Sequence, residues 1–179
     1  MKKGFNILFT KIKKDTGFTF LEFLIYITIV GVILTVTGNL CLNVFFAKAK
    51  LTAIEMVNQD ARFATEKVSE RIRSAEAINN PALGESSTTL SLQMADLAKN
   101  PTVFDLSDGT IRIKEGSGAV VDLTTSEVIL TTLQFSNISY PNTPGTLRVQ
   151  MTIKSINPEN RLEYNFEKTF YTTENIYKK

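Results

Sequence analysis

A chain of 179 residues accommodates one domain and an appendage, or two small domains. It has no histidine, no tryptophan and a single cysteine, Cys41, which excludes an intrachain disulfide framework and removes the commonest general base and zinc ligand together. Its net charge of +2 arises at the N-terminus: residues 1–17 carry five lysines against Asp15, leaving fifteen basic and seventeen acidic residues beyond them. With no basic cluster in the body, nothing points to nucleic acid as a partner.

The basic leader runs into an apolar segment. From Phe23 to Ala47 there are 25 consecutive residues without a formal charge, longer than the ~18 that argue for a membrane-spanning helix. The leader lysines outnumber Lys48 and Lys50 beyond the span, which predicts an N-terminus in the cytoplasm and a C-terminal body outside a cytoplasmic (inner) membrane. A secretory signal peptide fits poorly. The run exceeds an h-region of ~7–15 residues, and Phe45-Phe46-Ala47-Lys48-Ala49 offers no small-x-small cleavage site. Bulky Leu40 before Cys41 argues against a lipoprotein. One acid, Glu22, sits where the run begins. A charge within a span costs roughly 2.5–3.5 kcal/mol on insertion scales, so Glu22 needs a partner or must reach back to the interface.

The segment Gly17-Phe18-Thr19-Phe20-Leu21-Glu22-Phe23-Leu24-Ile25 resembles the prepilin motif of the type IV pilin family. In that family a glycine ends a basic leader, phenylalanine opens the mature protein and glutamate is its fifth residue. Phe20 and Leu21 depart conservatively from the usual Gly-Phe-Thr-Leu-Ile-Glu. The resemblance implies that a membrane prepilin peptidase cuts after Gly17 and that the new amine of Phe18 is methylated. It further implies that Glu22 docks against the Phe18 amine of an adjacent subunit, with other pilin or pseudopilin subunits, an inner-membrane assembly platform and membrane lipid as partners. The physics is compatible: glycine leaves the backbone open to a peptidase, and opposite charges in low dielectric attract strongly, part of the gain offsetting desolvation.

Beyond Ala47, apolar residues Leu51, Ile54, Val57, Ala61, Ala64, Val68, Ile72, Ala75 and Ile78 recur at intervals of three and four, predicting an amphipathic helix through Ile78 that Asn79-Asn80-Pro81 ends. The small alanines favour a stripe packed on the following domain over a coiled-coil seam. Four segments result: leader 1–17, membrane or filament-core half 18–46, amphipathic half 47–80 and an extracytoplasmic sheet domain 81–179.

From Thr88 the period becomes two. Leu90, Leu92 and Met94 alternate with polar residues. Val103–Ser107 and Thr110–Lys114 flank Asp108-Gly109, a strong hairpin signal. Ala119–Leu123 and Val128–Ile138 are further strands. The run Leu147, Val149, Met151, Ile153 is expected to form a second hairpin with Leu162, Tyr164, Phe166 across Asn157-Pro158-Glu159-Asn160. The expected fold is α+β: one long N-terminal helix, with a membrane half and an amphipathic half, packed on an antiparallel sheet of five to seven strands. The order matches pilins, and residues 51–170 resemble minor pseudopilins of the J type and W-type minor pilins. The carriers are Arg71-Ile72-Arg73-Ser74-Ala75, the turn at Asp108-Gly109, Leu123-Thr124 leading to Val128, and Leu133-Gln134-Phe135.

No catalytic constellation is legible. Asp96, Asp105, Asp108, Glu115 and Asp122 lack the spacing of a calcium loop and read as turn carboxylates. Ser86, Ser87 and Ser117 have no histidine to activate them. Asn137-Ile138-Ser139 matches a glycosylation sequon by pattern alone. Gly31 and Gly38 lie seven apart, not the four of a helix-dimer motif, and suit local bending. The chain thus reads as a structural subunit, not an enzyme, with no cofactor. The competing reading is a single-pass membrane protein that does not polymerise and whose outer β domain binds a ligand.

Overall fold

The computed structural model describes residues 17–177. The leader lysines lie outside the described residues. Helix α1, Phe20–Ser74, is continuous over 55 residues. The chain forms two compact units dividing between Val44 and Phe45.

In the first unit, the described residues belong to α1 and the short segment before it. The helix is long and apolar enough to cross a membrane, and none of the residues in its most apolar window is buried, unlike a core helix of a soluble protein. Three of its polar side chains bond back to the helix. Thr28 Oγ1 donates to Leu24 O at 2.7 Å, Thr35 Oγ1 to Gly31 O at 2.9 Å and Asn39 Nδ2 to Thr35 O at 3.0 Å. Such back-bonding to the i−4 carbonyl lets polar residues enter hydrocarbon without an orphaned donor. The helix passes Gly31 and Gly38 unbroken.

The second unit contains the rest of α1 and nine strands: β1 Ala75–Asn80, β2 Ser86–Ser87, β3 Leu90–Met94, β4 Thr102–Ser107, β5 Thr110–Glu115, β6 Val120–Asp122, β7 Val128–Asn137, β8 Thr146–Ser155 and β9 Glu167–Asn175. They form two antiparallel sheets, β1-β3-β4-β5-β6 and β2-β7-β8-β9. The sheet edges are therefore β1 and β6 in one, β2 and β9 in the other. The α+β class stands, with two sheets where one was expected. The chain leaves the first sheet after Asp122, and Thr125 on the connection donates N–H and Oγ1 to Asp60 Oδ2 at 3.2 and 2.7 Å. That anchor on α1 carries the chain to the second sheet.

One core joins the layers. Val57, Ala61, Ala64, Val68 and Ile72 of α1 are fully buried in the same cluster as Leu90, Leu92, Phe104 and Ile111 of the first sheet and Phe135, Leu147, Met151 and Ile153 of the second. Ala61 and Ala64 of the alanine stripe are buried in this core, so the stripe is packed against the domain as expected.

Three boundaries differ from expectation. The helix stops at Ser74, and Ala75–Asn80 pairs with β3. Ser74 Oγ bonds the carbonyls of Glu70 and Arg71 at 2.9 and 3.2 Å, closing the last turn. Register shifts between Ala75 and Ala77 and between Ile78 and Asn80 explain the misleading spacing: an irregular strand can imitate a helical interval of three. Leu162–Tyr164 is a 3-10 turn, and the partner of β8 is β9, with Met151 opposite Phe170. Ser86–Ser87, expected as part of a turn, pairs with β7. The Asp108-Gly109 hairpin forms as expected, with φ of 51° and 76°. A Cβ on Gly109 would lie 2.8 Å from Ile129 Cγ2, so glycine there serves both the turn and the seating of the hairpin on β7.

Candidate functional site

Gly17, Phe18 and Thr19 precede α1. Thr19 sits at the N-cap: its Oγ1 accepts from Glu22 N–H at 3.2 Å, and its carbonyl accepts from Phe23 N–H at 3.1 Å. Thr-x-x-Glu is a helix-start signature, carried here by Thr19 and Glu22. A carboxylate in this first turn also faces the positive end of the helix dipole.

The helix start brings Phe18, Glu22 and Tyr26 together. At spacings of four and eight they share one face. Tyr26 Oη donates to Glu22 Oε1 at 3.2 Å, and the rings of Phe18 and Tyr26 lie 5.3 Å apart at 31°. Glu22 is half-buried by its neighbours, while Phe18 and Tyr26 are 63% and 48% exposed. The carboxylate thus has one intrahelical donor and retains acceptor capacity toward the exterior. Tyr26 was missed because a tyrosine within an apolar run reads as one more apolar residue; its i+4 spacing from Glu22 was the available signal. Gly17 has nothing within 4 Å of where a Cβ would stand, so the fold itself does not demand glycine there.

The remaining candidates separate. Asp105 pairs bidentately with Arg112 at 2.9 and 2.7 Å, Glu115 bridges to Arg71, Asp96 accepts from Ala98 N–H at 3.0 Å, and Asp108 accepts from Ser107 Oγ at 3.2 Å. Among the described residues, no group of three acids, cysteines or histidines could hold a metal ion. Asn137 is 6% exposed; its Nδ2 donates to Pro81 O at 3.0 Å and its Oδ1 accepts from Ser139. Its amide is engaged in tying the β1–β2 connection to β7. Ser86 shares a 2.7 Å hydrogen bond with Ser136 across β2 and β7.

The second unit also has an open groove of about 1410 Å³ along α1, between edge strands β1 and β9. Ala61, Thr65 and Ser69 are among its lining residues, with Arg73 and Glu174. Arg73 clasps Glu174 at 2.7 and 2.9 Å, and this guanidinium holds the Glu174 carboxyl below the usual carboxylate range. Comparison with family models, curated proteins and solved structures finds no match.

Proposed function

We propose that this chain is a structural subunit of a type IV pilus or type II secretion pseudopilus, a minor pilin or pseudopilin stored in the cytoplasmic membrane and drawn into a thin filament. The support is a pilin-like architecture, a long N-terminal apolar helix with antiparallel sheets packed on its second part, together with the motif at Gly17–Glu22. The observation that carries the reading is the outward face formed by Phe18, Glu22 and Tyr26.

Prepilin peptidase hydrolyses the Gly17–Phe18 bond, and methylation of the freed amine follows. The new ammonium supplies the charge that Glu22 lacks. Subunits then stack through their apolar helices, the Glu22 carboxylate of one meeting the Phe18 amine of the next. Charge neutralisation between helices in a water-poor filament core fixes axial register as well as affinity.

Mass spectrometry of the membrane fraction tests this directly. The expected species begins at N-methylated Phe18; a chain retaining Met1 in peptidase-positive cells overturns the proposal. The same measurement separates it from the second reading, a non-polymerising membrane protein whose β domain binds a ligand in the groove between β1 and β9, which requires no cleavage.

A further inference from the structure

Strand β9 climbs alongside α1. Lys168 Nζ donates to Asn58 Oδ1 at 3.4 Å near the start of β9, and Arg73 clasps Glu174 near its end. The segment before β9 therefore reaches furthest down the helix, and Lys50 Nζ donates to Asn165 O at 2.5 Å. Lys50 also stands 5.6 Å from the Phe166 ring centroid. The 3-10 turn Leu162–Tyr164 immediately precedes Asn165 in the chain. Leu162 is 85% exposed and Tyr164 is 37% exposed.

Lys50 is three residues beyond Ala47, the last residue of the uncharged run, or about 4.5 Å along the helix. The headgroup zone on each side of a bilayer is about 5–8 Å deep. A loop bonded to Lys50 thus sits at headgroup level. An uncharged run of 25 residues, about 37 Å long, exceeds a ~30 Å hydrocarbon core and tilts to fit.

We infer that the Leu162–Tyr164 turn is a membrane-interface foot, which inserts Leu162 among the lipid headgroups and rests Tyr164 at their level while the protein is stored in the bilayer. Tyrosine favours that zone because its ring is apolar and its hydroxyl stays wet. The turn's charges suit shallow insertion: Arg161 binds Glu163 at 2.5 Å, approaches Glu159 at 3.8 Å and lies 5.4 Å from the Tyr164 ring centroid. This near-neutral set makes the contact depend on apolar insertion more than on anionic lipid. The inference rests on the membrane span and not on cleavage at Gly17.

The chain contains no tryptophan, so Leu162→Trp supplies a lone reporter. Leu97→Trp is the matched control: it is also 85% exposed but follows Met94, which pairs with Ala75 beyond the far end of α1. The full chain carrying either substitution is reconstituted into phosphatidylcholine vesicles with ordinary or brominated acyl chains, with and without phosphatidylglycerol. For Leu162→Trp, brominated chains should roughly halve the emission, with a blue-shifted maximum in both lipid compositions, while Leu97→Trp stays unquenched. Equal emission from the two variants overturns the inference. So does a blue shift that brominated lipid fails to quench and that grows with protein density, because it assigns the turn to a second protein copy.

Discussion

Glu22 has a hydrogen bond already in place, and that bond comes from a residue one turn along its own helix. Tyr26 spreads the carboxylate's charge, and its packing against Phe18 holds Phe18 and Glu22 on one face. The two residues should separate by mutation. Glu22→Ala leaves membrane insertion intact and abolishes incorporation into filaments; unchanged assembly would remove Glu22 from the docking role. Tyr26→Phe keeps the ring contact and removes the donor, at a cost of about 1 kcal/mol or roughly fivefold in assembly yield. Sheared-filament yield against total membrane protein reads both. Glu22 was legible as the acid at the mouth of an apolar run, whereas its donor was not, because hydropathy records Tyr26 as bulk and ignores its hydroxyl.

The elements are governed by how closely α1 approaches the sheets. Ala61 and Ala64 are wholly buried between larger partners, so the helix is spaced by its smallest side chains. Ala64→Leu should destabilise the second unit by about 1–3 kcal/mol through overpacking, seen as a lower unfolding midpoint of the detergent-solubilised full chain; membrane insertion should be unchanged. An unaltered midpoint would mean that the packing yields more than a close-packed core allows. The alanine stripe and the alternations of β3, β4, β5, β7 and β8 were readable because each buries a regular face. β9 also alternates from Phe170 to Asn175, but its half-buried side is Phe170, Thr172 and Glu174, of which one is apolar, so only its threonine and aromatic content hinted at a strand. β1 deceived through its register shifts.

At the scale of the second unit, ion pairs fasten outer strands to the helix end. Glu174 on β9 has a folded pKa below its unfolded value, chiefly through its hydrogen bond to Arg73. A depressed carboxyl contributes stability that is full above the unfolded pKa of about 4.3 and is lost as pH falls through the lower folded value. Arg73→Gln should therefore lower the thermal midpoint at neutral pH, with the gap from the unaltered chain closing below pH ~4. A gap independent of pH would assign the loss to packing of the arginine stem. The division into two sheets was not legible, since strand periodicity specifies a buried face but not which edges meet. The connection between the sheets is held to α1 by Asp60 with Thr125, residues that individually read as a surface acid and a loop threonine.

The sheet edges carry a consequence for self-association. Confinement to a plane raises the rate at which identical domains collide side by side, and an open β-strand is the surface most prone to zip with its copy. Here β2 has two residues and β6 three, while β1 is broken by register shifts. Only β9 is long, and Glu167, Lys168 and Glu174 interrupt it with charge. Side-by-side copies of the second unit thus meet few strands that could pair.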